Sequence, residues 1–144
     1  MATYTSRSPE ETRSLGETWG KSAAPGLVIG LCGDLGAGKT ELVKGLARGL
    51  GSQARVHSPT FALIHEYTDG RLPLFHIDLY RLETVAQVIG AGLEEYLYNP
   101  PGVTVVEWPE RWAVADAQGP GVASFRHVEI EVLSETERRI RYEE

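Results

Sequence analysis

The sequence predicts an α/β fold: a mixed sheet with a mainly parallel centre and antiparallel hairpins, flanked by helices. Three observations carry that prediction. A short apolar run, "GLVIGLC", passes through the glycine-rich stretch "GDLGAGKT" into the amphipathic run "KTELVKGLARGLG", a strand–loop–helix order. "FALIHEY" and "LPLFHIDLY" flank "TDGR", which predicts two strands joined by a tight turn at Asp69-Gly70. "HVEIEVL" alternates apolar and polar residues, and it pairs across "SETE" with "RRIRY" as a second hairpin. The phosphate-loop pattern within the first segment makes the expected architecture P-loop NTPase-like.

With 144 residues the chain is expected to form one domain over residues 1–144. A domain of this size buries roughly 70% of its unfolded surface and needs no metal or disulfide staple. The lone cysteine, Cys32, lies in the apolar run and is read as a buried thiol. "MATYTSRSPEETRS" has no apolar core of a leader, and no apolar run approaches the roughly 20 residues that cross a bilayer. A cytoplasmic chain with no membrane partner is the expectation.

The elements follow in order. "SPEETRSLGETWGK" starts a helix, with Ser8 as cap, Pro9 at the first helical position and Glu11 completing a capping box. Leu15 and Trp19, four apart, give it a buried stripe, with Trp19 in the core. Leu27 to Cys32 form a buried strand. The next helix places Leu42, Val43, Leu46, Ala47 and Leu50 on one face and stops at Gly51. Gly45 and Gly49 weaken this helix, and close packing against the sheet would account for them.

In "LPLFHIDLY", Leu72, Leu74, His76, Asp78 and Tyr80 share one face, and Phe75, Ile77 and Leu79 share the other. Both faces are mostly apolar, so this strand belongs inside the sheet, with Pro73 near its start. "LETVAQVIGAGLEEYLYN" is helical, broken near Gly90 and Gly92 and ended before Pro100-Pro101. Val103 to Val106 form a short β-branched strand that delivers Glu107 at its end, and "ADAQGPG" is a loop. No repeat or linker divides the chain.

Lysine and arginine number 14 against 20 acids, a net charge of −6. A protein that grips nucleic acid unaided shows a basic face, so a nucleic-acid role here would be shared with a partner. The dense basic cluster, Arg138, Arg139 and Arg141, is flanked by Glu137, Glu143 and Glu144 and reads as a solvated edge strand guarded by charge.

Gly33, Gly38, Lys39 and Thr40 satisfy G-x-x-x-x-G-K-[ST] in full, between a strand and a helix. The glycines let backbone amides converge on one point, and the helix N-terminus adds positive potential there. In such a loop Lys39 reaches the β- and γ-phosphates and the Thr40 hydroxyl ligates Mg²⁺. The site also needs an acid for the metal and a group to position water. Glu107 at a strand tip fits that need; its plain alternative is a solvated charge leaving the strand. Asp78 is a second acid on an apolar strand, either meeting metal or water or forming a structural salt bridge with Arg81 or His76. His57, His65 and His76 have no metal-ligand spacing and are read as structural or gating. "VHSPTF" offers Ser58 and Thr60 as hydroxyls able to sense metal and γ-phosphate, or is a plain turn. Trp112, one helical turn past Trp108, is packing or part of an exposed partner surface, with packing the preferred reading.

Four blocks in order, "GDLGAGKT", "SPTF", "HIDLYRL" and "VEWPER", resemble the TsaE (YjeE) family, the small ATPase of the bacterial pathway that makes threonylcarbamoyladenosine in tRNA. "SPEETRSLG" resembles its opening helix, and the likeness covers most of residues 8 to 112. The resemblance implies ATP and Mg²⁺ as ligands. It also implies nucleotide contacts from the loop Gly33, Asp34, Leu35, Gly36, Ala37, Gly38, Lys39 and Thr40 and from Glu41, with Gly36 to Glu41 wrapping the phosphates. Thr40 and Glu107 would hold the metal, and Lys39, Asp78 and Glu107 would serve hydrolysis. Ser58 and Thr60 would form a switch-like loop, Trp108 would stand near the nucleotide and Thr12 would touch the base. The implied partners are TsaD and TsaB-like proteins, with tRNA met only within the complex. This sequence departs from the family's usual proline- and acid-rich helix start after "LYRL", reading "ETVAQVIGAG" instead.

A weak ATPase stimulated by partners is therefore the leading expectation. A small-molecule kinase of P-loop type is the alternative, but it needs an acceptor pocket and a lid carrying arginines. A regulatory GTPase would typically carry N-K-x-D, and no such run occurs.

Overall fold

The computed structural model describes residues 2–33, 38–56, 64–79, 94–98, 100–107 and 124–143. In chain order these give β1 (Ala2–Ser6), α1 (Pro9–Ser22), β2 (Val28–Cys32), α2 (Lys39–Gly49), β3 (Ile64–Tyr67), β4 (Leu74–Asp78), α3 (Glu94–Leu97), β5 (Val103–Glu107), β6 (Phe125–Val132) and β7 (Arg138–Tyr142). The strands form one seven-stranded sheet in the order β1-β7-β6-β2-β5-β4-β3. Its centre is parallel, β6-β2-β5-β4, and both flanks are antiparallel. The predicted α/β class holds, with β3–β4 and β6–β7 as the two hairpins.

Local chemistry explains the helix ends. Ser8 caps α1 by accepting from the Glu11 amide at 3.1 Å, and Glu11 reaches back to the Arg7 amide at 2.9 Å. Helix α2 closes with a Schellman motif: Gly51, at φ 86°, donates to Arg48 O and Ser52 donates to Ala47 O, both at 3.0 Å. Helix α1 has no glycine stop. Its last carbonyls are met by Arg71 from the β3–β4 turn, whose Nη2 donates to Gly20 O at 2.7 Å and Ala23 O at 3.0 Å.

One sheet face packs on α1 and α2. Its core joins Trp19, Ile29, Leu31, Leu42, Val43, Leu46, Val105, Val128, Ile130 and Ile140. Trp19 lies edge-on to Tyr142 with ring centroids 5.0 Å apart, as its core reading expects. The opposite face gathers Val28, Ile77, Leu79, Leu97 and Val106.

Three expectations are corrected. Strand β7 is not an edge, because β1 pairs along it from Ala2↔Tyr142 to Ser6↔Arg138. The glycines of α2 pack against α1 rather than the sheet. Gly45 lies against the Arg13 backbone and Gly49 against Glu17, while Gly16 and Gly20 of α1 lie against Leu42, Leu46 and Gly49. The two helices thus run side by side in the same direction at backbone contact. Cys32 is half-buried instead of fully buried, because it ends β2 at the rim of the sheet. The helix break at Gly90 and Gly92 lies outside the described residues.

Candidate functional site

Parallel strands bring their C-terminal ends to one rim, where ligands of open α/β sheets bind. Leu31, next to the end of β2, pairs with Glu107 at the end of β5, and Glu107 pairs with Asp78 at the end of β4. The Leu79 amide, just past β4, donates to Glu107 O at 3.1 Å and pins this corner. Helix α2 starts at the same rim. Its cap is Gly38 in the left-handed region at φ 99°, a conformation in which any side chain would be strained.

Lys39 is the first residue of α2 and is 5% exposed. Its Nζ donates to Gly33 O at 2.8 Å and stands 3.7 Å from Glu107 Oε1. The other oxygen of Glu107, Oε2, lies 2.6 Å from Nε2 of His76, a fully buried side chain on β4. A buried carboxylate is costly unless paired, and Glu107 meets that cost with a cation on one side and an imidazole on the other. The plain alternative for Glu107, a solvated charge, does not hold.

Asp78 is half-buried beside Glu107. The expected structural alternative of an Asp78–His76 pair is replaced by a His76–Glu107 contact. Thr40, second in α2, is half-buried at the helix N-terminus. The Glu41 carboxylate is held by Arg13 Nη1 of α1 and lies 3.4 Å from Lys44 Nζ. The Glu41 side chain is thus engaged within the two helices. Thr12 is buried between β1 and α1, its Oγ1 2.7 Å from Ser6 Oγ. Since Ser6 Oγ donates to Ser8 O at 2.8 Å, the Thr12 hydroxyl is the donor to Ser6. Asp34, Leu35, Gly36, Ala37, Ser58, Thr60 and Trp108, with His57, Arg81 and Trp112, lie outside the described residues.

The expected reading of His76, structural or gating and a candidate partner for Asp78, misses its contact with Glu107. A signal existed: a polar ring on the same strand face as Asp78, one turn of the pleat from the strand tip, requires a partner. What the sequence lacked was the β4–β5 register, which sets His76 opposite Val105 and diagonal to Glu107.

The donor set suits a hard cation. Among the described residues no three His, Cys, Asp or Glu side chains converge on a metal position. The Thr40 hydroxyl in the first turn of α2 and the Glu107 carboxylate at the end of β5 are oxygen donors of the kind Mg²⁺ takes. No described helix is long and apolar enough to cross a membrane.

A model of the family described as "Threonylcarbamoyl adenosine biosynthesis protein TsaE" matches residues 6–140. A Nostoc protein named tRNA threonylcarbamoyladenosine biosynthesis protein TsaE is 50% identical over 105 residues, 71% of this chain and 64% of its own. A Bacillus subtilis protein of the same name is 50% identical over 100 residues, 69% of this chain and 61% of its own. The chain thus spans under two thirds of the length of these relatives. The crystal structure of Bacillus subtilis YdiB superposes with a TM-score of 0.77 at 35% identity, covering 98% of this chain and 83% of that one. Both the family match over residues 6–140 and the shared fold lead to one assignment: the chain belongs to the TsaE family.

Proposed function

We propose that the chain binds ATP with Mg²⁺ and hydrolyses it weakly, as the ATPase subunit required for threonylcarbamoyladenosine modification of tRNA. The observation that carries this reading is the buried Lys39, held between the Gly33 carbonyl and the Glu107 carboxylate where α2 begins. An ammonium in that position, behind a helix N-terminus, is matched to the β- and γ-phosphates.

The chain's own groups divide the work. Loop and α2 amides bind the phosphates, and Lys39 exchanges the Gly33 carbonyl for phosphate oxygens. Thr40 and Glu107 would hold Mg²⁺, which when bound supplies charge neutralisation across the phosphates. Asp78, beside Glu107 on the next strand, orients the attacking water. The water oxygen bonds to the γ-phosphorus, the bond to the β–γ bridging oxygen breaks and ADP leaves with that electron pair. The proton released passes to a carboxylate or to solvent.

The relatives' names carry the tRNA pathway, and the net charge of −6 supports a partner as the main tRNA grip. The reading therefore takes TsaD- and TsaB-like proteins as partners that stimulate hydrolysis, in the cytoplasm. Reconstitution with these partners and tRNA tests it. Glu107→Ala should lower ATP hydrolysis by about 100-fold and stop multi-turnover modification. Full turnover by that variant, or equal ATPase rates with and without partners, overturns the reading.

A further inference from the structure

His76 makes a contact that the reaction as described does not use. Its ring is fully buried, and among the described residues Nδ1 has no hydrogen-bond partner. Its other nitrogen, Nε2, lies 2.6 Å from Glu107 Oε2, a separation that requires a proton between them. Were the ring proton on Nδ1, it would be a buried donor with nothing to accept it, and the Nε2 lone pair would face a carboxylate oxygen. With hydrogen on Nε2, donated to Oε2, the contact is met and what stays unpartnered at Nδ1 is a lone pair and not a donor.

We infer that His76 is a positioning residue for the phosphate site, holding Oε2 of Glu107 so that Oε1 alone faces Lys39 and an incoming ligand. This rests on the proposed reading of Glu107 as the metal-holding carboxylate. Two features of the fold make the tie rigid. His76 and Glu107 sit on adjacent parallel strands at fixed register, and the ring packs without solvent to compete for the bond. Without the imidazole donor, Oε2 would be a buried oxygen lacking a partner. The carboxylate would then turn to bring both oxygens onto Lys39, 3.7 Å away, closing the space that phosphate and metal need.

Two measurements test this. The first uses nucleotide-free, metal-free wild-type protein and long-range ¹⁵N–¹H correlation of the imidazoles. His76 should show a protonated Nε2 and an unprotonated Nδ1, and a ring with hydrogen on Nδ1 overturns the inference. The second compares His76→Leu, which removes the donor, with His76→Gln, whose amide nitrogen reaches nearly the same point. His76→Leu should raise the Mg²⁺ concentration for half-maximal hydrolysis and lower kcat, each by about 10-fold or more, with His76→Gln recovering most of both. Equal losses in the two variants would mean a packing role only and would overturn the inference. If no preparation hydrolyses ATP, the ATPase reading fails, while the spectrum still decides whether His76 holds Glu107.

Discussion

Replacing Gly45 by alanine pits helix propensity against close packing, and the two forces predict opposite signs. In an exposed helix interior, glycine to alanine stabilises by roughly 1 kcal/mol. A Cβ on Gly45, however, would sit 2.7 Å from the Arg13 carbonyl carbon, 2.8 Å from its Cα and nearer still to its oxygen. All three atoms are backbone, so no rotamer change relieves the clash and α1 must move off α2. Overpacking of this kind costs about 1–3 kcal/mol, and backbone against backbone belongs at the top of that range. Subtracting the propensity gain leaves a net loss of about 2 kcal/mol. For a chain of this size each kcal/mol moves Tm by about 3–4 °C, so Gly45→Ala should lower Tm by about 6–8 °C. Propensity acting alone would raise it by about 3–4 °C. Thermal unfolding followed by circular dichroism, with urea titration for the free energy, reads the difference. Ser14→Ala on the exposed side of α1 is the control and should stay within about 0.5 kcal/mol. A Gly45→Ala protein as stable as wild type, or more so, would refute the close-contact account of these glycines.

Arg71→Ala should cost about 1–2 kcal/mol in urea unfolding, because it strips the donor from the Gly20 and Ala23 carbonyls at the end of α1; Arg71→Lys should recover only part. The Asp69 carboxyl is held below its ordinary value by the Ser52 hydroxyl at 2.6 Å and the Gln53 amide at 2.9 Å. A depressed folded value means that its stabilisation is complete above the unfolded carboxylate range and is lost as pH falls through the folded one. Asp69→Asn should therefore lower Tm at pH 7 and flatten the acid limb of a Tm-versus-pH curve; an unchanged limb refutes the assignment. Lys39→Met should remove binding of a fluorescent ATP analogue and, by leaving the buried Glu107 without its cation, cost on the order of 3 kcal/mol. Lys39→Met with Glu107→Gln should regain most of that stability, whereas additive losses would show that the two groups do not interact.

What the sequence made legible was local. The Ser8 cap, the strand into the phosphate loop, the Gly51 stop and both hairpins each depend on residues within a few positions of one another. What it hid was pairing across distance. "ATYTS" carries only a weak alternation, and its strand forms by antiparallel pairing along Arg138–Tyr142. Gly45 and Gly49 are visible as helix-weakening residues, but their mates Gly16 and Gly20 lie in another helix, which no local pattern links to them. Lys39 and Glu107 were found by spacing and by strand-end logic. The partner of His76 is Glu107 and not Asp78, because the register of β4 on β5 points the ring at Glu107.

These distant pairings bear on the site itself. Glu107 is held by the parallel strands and His76, whereas Lys39 and Thr40 ride on α2, so the gap between them depends on where α2 lies. Helix α2 is set in place by α1, through glycine contacts along both helices and the Arg13–Glu41 ion pair at its first turn. Helix α1 is in turn tied to β1 by the Ser6–Thr12 hydroxyl bond, and β1 is tied to β7. A displacement of about 1 Å at a catalytic centre can cost on the order of 100-fold in rate. The glycines thus weaken α2 as an isolated helix yet permit the interaxial approach that fixes its N-terminus against Glu107, and tertiary packing offsets the lost propensity. It follows that a bulkier residue at Gly16 or Gly49, which lie in the contact between α1 and α2, should loosen the Lys39–Glu107 spacing as well as the fold.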